Sequence, residues 1–153
     1  MGATAGAPAI EKREPASAAD YAKAILLGLI AAVVGAYLWD KFVILTQIQF
    51  GLIAALVGIL VGIAVRIGSG GKAGIAFQVI GAVLALFGML LGYTLIGYDV
   101  VVKELGEVVP SPIVAIPRLL PLVVRHLDLL DWVFVAIGAW EGWAIPRQAA
   151  GDH

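Results

Sequence analysis

Residues 73–98 read AGIAFQVIGAVLALFGMLLGYTLIGY, 26 residues without one Asp, Glu, Lys or Arg. At about 1.5 Å per residue, a helix of that length covers about 39 Å, enough to cross a hydrocarbon core of about 30 Å with some tilt. The composition around it agrees. Of the 153 residues 61% are apolar before the 19 glycines are counted, against about 45–50% with glycine included in soluble domains. Charged residues make up 14%, and the mean hydropathy is +1.00.

Three further segments fit the same solvent. Residues 21–39, YAKAILLGLIAAVVGAYLW, carry one charge, Lys23, near one end, and Tyr37 and Trp39 stand where an interfacial aromatic belt would. Asp40 and Lys41 are expected to bring the chain into water there. Residues 44–65 hold Gln47 and Gln49 near their start and no charge before Arg66. Residues 127–145 form the fourth candidate, with Asp128, Asp131 and Glu141 leaving an uncharged centre only over 132–140. Between the third and fourth segments, Pro110, Pro112, Pro117 and Pro121 interrupt an apolar stretch that also bears Arg118 and Arg125. Each proline removes a backbone donor and restricts its predecessor, so a broken helix in the headgroup plane is expected.

The expected fold is therefore all-α: an integral membrane bundle of four transmembrane helices with a Pro-broken interfacial segment between helices three and four. Residues 1–20, rich in Ala, Gly, Pro and charge, read as a disordered cytoplasmic tail and not a signal peptide; 21–147 form a single transmembrane domain, and 148–153 a short cytoplasmic tail. With four spans, Lys12, Arg13, Lys23, Arg66, Lys72 and Arg147 lie on one side, against Lys41, Lys103, Arg118 and Arg125 on the other. The excess of cations places both termini in the cytoplasm.

In lipid, helices associate through close backbone approach more than through hydrophobic drive. Gly58 and Gly62, Gly88 and Gly92, and Gly138 and Gly142 are pairs at i,i+4 spacing on the second, third and fourth spans, so they are the candidate helix-packing residues.

Chemistry-bearing motifs are few. RIGSGGKAG (66–74) resembles a phosphate-binding loop in composition, but Arg66 stands where the motif needs its first glycine, and Ala73 where it needs Ser or Thr. It reads as a cytoplasmic turn whose cations, Arg66 and Lys72, are candidate contacts for an anionic lipid or an acidic partner. Glu141 in WEGW is the candidate transport carboxylate, because a charge near a span is costly and often functional. A net charge of −1 gives no field for nucleic acid, and the absence of cysteine excludes disulfides, thiolate nucleophiles and cysteine metal sites. No HExxH, paired His or GxSxG pattern is present, so no catalytic, cofactor or metal residues are expected.

Residues 51–78, GLIAALVGILVGIAVRIGSGGKAGIAFQ, and 128–147, DLLDWVFVAIGAWEGWAIPR, resemble uncharacterised small bacterial multi-pass inner-membrane proteins with a G…VG.AVR.G.GG…Q core and a last span ending in Pro-Arg. The resemblance implies a bacterial inner-membrane location and no particular activity. Small multidrug transporters also have four short spans, but they carry a carboxylate in the first, and residues 21–39 have none. The functional expectation is a non-enzymatic accessory or assembly component that meets itself or a membrane-protein partner through small-residue faces. The alternative is a small oligomeric channel or transporter with Glu141 lining a polar path.

Overall fold

The computed structural model describes residues 14–48, 51–106 and 110–148. Among them it has five helices and no strand: α1 (Ala18–Thr46), α2 (Leu52–Gly68), α3 (Ile75–Leu105), α4 (Pro112–His126) and α5 (Leu129–Gln148). The tails expected at 1–20 and 148–153 lie, for 1–13 and 149–153, outside the described residues. Residues 18–20 are not tail but the first turn of α1. Ser17 and Asp20 form a capping box there, each side chain reaching the other's backbone N–H.

Helices α2 and α3 form a central pair; α1 packs on one side of both, α5 on the other, and α1 does not reach α5. Helix α4 touches only α3.

Several boundaries differ from the sequence reading. Asp40 and Lys41 do not end the first helix, because Lys41 neutralises Asp40 and bonds Asp99 on α3, so both charges are accommodated inside it. α1 runs on to Thr46 and stops where Gln47 turns left-handed at φ 55°, its N–H capping the Val43 carbonyl. Residues 44–46 therefore belong to α1, and α2 is shortened to 17 residues. α3 continues past Tyr98 for two turns and ends before Gly106 at φ 66°. The prolines do not break α4. Pro112 occupies its first turn, and Pro117 and Pro121 lie on its exposed face with Ile113, so the carbonyls the prolines leave unbonded lie on that outer side.

Two helices, α1 and α3, are long and apolar enough to cross a membrane, not four. α2 is apolar but covers only about 25 Å. α5 is long enough at 20 residues, yet it carries Asp131, Glu141 and Arg147.

Large apolar side chains cover the outside of the helices, although Trp39, Val57, Val61, Val65, Phe77, Met89 and Val135 are buried between them. α1 buries Ala24, Gly28, Ala31, Ala32, Gly35 and Ala36 and turns Ile25, Leu26, Leu29, Ile30, Val33, Val34 and Leu38 outward, with Leu26 58% and Leu38 59% exposed. On α2, Leu52, Leu56, Leu60 and Ile63 face out; on α3, Val79, Val83 and Phe87; on α5, Val133, Ile137 and Trp140. Half-exposed, each such side chain would forgo roughly 1 kcal/mol of burial in water.

Candidate functional site

The polar and aromatic side chains that join helices gather in two rims separated by an apolar middle. At the first rim, Tyr21 of α1 stacks on Phe77 of α3 with ring centroids 4.7 Å apart. The Lys72 ammonium lies 2.6 Å from Asp20 Oδ2, tying the α2–α3 connection to the start of α1. The Lys72 ammonium, together with the Ser17 N–H and hydroxyl, holds the Asp20 carboxyl down at about 2. Lys72, a sequence candidate for anion contact, is thus occupied by an acid of its own chain.

The connection itself is a helix stop. Ser69 N–H bonds Val65 O, Gly70 N–H bonds Ile67 O, Gly71 N–H bonds Arg66 O, and Lys72 N–H bonds Ser69 O. Gly70 and Gly71 adopt φ 64° and 75°, which explains the glycines of RIGSGGKAG. Their amides close α2 and are not free to cradle a phosphate. Arg66 is exposed and lines an open groove of about 440 Å³ with Ile63, Ile67, Gly70 and Gly71.

At the second rim, Lys41 Nζ lies 2.7 Å from Asp99 Oδ2 on α3 and 2.9 Å from Asp40 Oδ2, over the face of Tyr37. Asp40 is 2% exposed, and its Oδ1, like Trp39 Nε1, is buried without a hydrogen-bond partner. Trp39 meets Tyr93 edge to face at 4.6 Å. The Tyr93 hydroxyl donates to Asp131 Oδ1 at 3.0 Å, which joins α3 to the first turn of α5. Asp131 also shares a reciprocal cap with Asp128, whose N–H it accepts. Lys41–Asp99 and Tyr93–Asp131 therefore hold α1 and α5 to opposite sides of one helix. Tyr21 to Trp39 along α1 spans about 27 Å, and Phe77 to Tyr93 along α3 about 24 Å.

Between the rims, glycines let backbones meet. A Cβ on Gly58 would sit 2.6 Å from Gly138 Cα, and one on Gly142 would sit 2.6 Å from the Gly81 carbonyl oxygen. Pro146, buried inside α5, has no N–H to offer the Gly142 carbonyl, and that oxygen lies against Gly81 instead. Gly62 faces Ile145 and the Glu141 carbonyl, Gly88 faces Ala32, Gly92 faces the Trp39 ring, and Gly138 faces Met89. All six sequence candidates for packing thus meet other helices of the same chain. Two further backbone-to-backbone contacts involve glycines outside those six, Gly81 against Gly142 and Gly68 of α2 against the Lys23–Ala24 backbone of α1, and Gly28 and Gly51 meet the side chains of Leu84 and Phe134. The signal for Gly81 was its place on the stripe Gly81, Ala85, Gly88, Gly92.

Glu141 is half-buried on α5, two turns before the end of that helix. It lines neither the Arg66 groove nor the apolar groove of about 410 Å³ between α1 and α2, which is walled by Leu38, Trp39, Phe42, Ile53, Leu56 and Leu60. Among the described residues no cluster of three or more His, Asp or Glu is placed to hold a metal ion.

Comparison with protein-family models, with curated proteins and with solved structures gives no match.

Proposed function

We propose that this chain is an integral membrane protein in which α1, α2, α3 and α5 all cross the bilayer while α4 lies at its surface beside α3. The observation that carries this reading is the outer face of the bundle, where large apolar side chains lie exposed along α1, α2, α3 and α5, while α1 packs inward largely through Ala and Gly. Lipid removes the cost of that arrangement, and backbone contact through glycine supplies the cohesion that hydrophobic drive no longer does. The two rims support it, since polar pairs and aromatic rings stand about 24–27 Å apart, near the thickness of a hydrocarbon core. The shortness of α2 fits a span whose end beside α3 is completed by the turn at 69–74. On this reading the side of Asp20 and Lys72 is cytoplasmic, and the resemblance to bacterial proteins points to the inner membrane.

Its role is that of a non-enzymatic accessory or assembly component. What supports this is the employment of its chemistry-bearing side chains: Asp20–Lys72, Lys41–Asp99 and Tyr93–Asp131 each join separate parts of the bundle. Because the small-residue faces are spent within the chain, a partner or second copy meets the outer, large-residue faces. Crosslinking in native membranes tests the role, with a stoichiometric membrane partner or a self-adduct expected. A chain recovered only as a monomer would remove the assembly reading.

A further inference from the structure

Arg66 stands apart from the other cation of its loop. Lys72 is held by Asp20, whereas none of the ion pairs and side-chain hydrogen bonds among the described residues engages the Arg66 guanidinium. Its surroundings are a shallow, open depression. Ile63 and Ile67, 44% and 66% exposed, form an apolar wall one helical turn long, and Gly70 and Gly71 leave the other side open, with no atom within 4 Å of where a Cβ would stand. A guanidinium at the end of an apolar wall fits one amphiphile, a phosphate ester carrying an acyl chain.

The charge of this rim selects among such amphiphiles. Lys23, Arg66, Lys72 and Arg147 lie on or near it among the described residues, against Glu14, Asp20 and Glu141, of which Asp20 is already paired with Lys72. The opposite rim carries Lys41, Lys103, Arg118 and Arg125 against Asp40, Asp99, Glu104, Asp128 and Asp131, and so has no such excess. An ammonium headgroup would meet cations at the first rim; a headgroup without one would not.

We propose that the groove of Ile63, Arg66, Ile67, Gly70 and Gly71 is a binding site for an anionic phospholipid, its phosphate on Arg66 and its chain along Ile63 and Ile67. The proposal rests on the membrane reading above. Because the amides of residues 69–72 are consumed in closing α2, headgroup recognition falls to the Arg66 side chain and not to a backbone cradle.

Native mass spectrometry of the full chain in mild detergent, titrated in parallel with phosphatidylglycerol and phosphatidylcholine, tests this. The expected result is retention of phosphatidylglycerol about tenfold over phosphatidylcholine, lost in Arg66→Gln and partly kept in Arg66→Lys. Arg118→Gln with Arg125→Gln should leave the preference intact. Equal retention of the two lipids, a preference that survives Arg66→Gln, or one that disappears with Arg118 and Arg125 instead would overturn the site. Displacement of the lipid by inorganic phosphate alone would show that the chain contributes nothing, which also overturns it. A chain that stays soluble without detergent and binds neither lipid would fail earlier, at the membrane reading itself.

Discussion

Helices α4 and α5 follow one another in the chain, both contain an internal proline, and both pack on α3, yet they occupy different places. α5 is wedged against α2 and α3, with Gly138 on Gly58 and Gly142 on Gly81; α4 packs on α3 alone, with Val123 beside Gly97. The prolines behave accordingly. Pro146 is buried, and the Gly142 carbonyl it leaves unbonded lies against the Gly81 backbone, whereas Pro117 and Pro121 are on an outer face with Arg118 and Arg125. The proline-bearing helix that enters the bundle is the one whose glycines let another backbone pack directly against it.

The comparison breaks most easily at a glycine. Gly138→Leu places a side chain against Met89 and the Ala54 carbonyl, and backbone on one side cannot yield, so a loss of about 3 kcal/mol or more is expected. Detergent-induced unfolding followed by tryptophan fluorescence would measure it. Wild-type resistance in this variant would mean that α5 does not sit between α2 and α3.

Lys41→Met leaves Asp40 buried beside Asp99 without their shared cation. An uncompensated charge of this kind costs several kcal/mol when fully enclosed, but Lys41 is 40% exposed, so about 2 kcal/mol is expected in the same assay. Recovery of most of that loss by adding Asp40→Asn would sharpen the assignment; no recovery would point away from Asp40. Tyr93→Phe removes one hydrogen bond between α3 and the start of α5 and should cost about 1 kcal/mol, with no change in the position of α1.

Asp20 gives a pH signature at the other rim. Its carboxyl is held below its ordinary range chiefly by Lys72, so its contribution is present in full above the ordinary carboxylate range and is lost as pH falls from about 4 through about 2. Unfolding midpoints measured from pH 6 to pH 2 should fall in wild type and flatten in Asp20→Asn; parallel curves would contradict the ion pair. The smallest effect belongs to α4. Ile113→Ser, at a position 85% exposed, should change stability by less than about 0.5 kcal/mol, and a loss comparable to that of Gly138→Leu would place α4 inside the bundle.

Much of this was legible along the chain. The i,i+4 glycine pairs marked the faces that meet, since backbone approach needs small residues at that spacing wherever it occurs. Their partners were not legible: Gly142 meets Gly81 and Gly68 meets Ala24 across connections whose geometry a single sequence does not contain. The same is true of Lys41–Asp99, Lys72–Asp20 and Tyr93–Asp131, which lie 58, 52 and 38 residues apart. Helix ends were misplaced where hydropathy and helicity part company. Asp40 and Lys41 mark the edge of an apolar stretch, but a paired charge does not stop a helix; the left-handed Gln47 does. The sequence marks 66–74 as a turn, but not that the amides of its glycines serve the last carbonyls of α2.

The central claim is that α2 and α5 cross the bilayer although one is short and the other carries charge. The chain has no cysteine, so single cysteines at Thr46, Ala73, Ser111 and Arg147, all exposed, can be labelled with a membrane-impermeant maleimide in oriented vesicles. The account predicts that positions 73 and 147 label from one side and positions 46 and 111 from the other. Labelling of 46 and 73 from the same side, or of 111 and 147 from the same side, would contradict it.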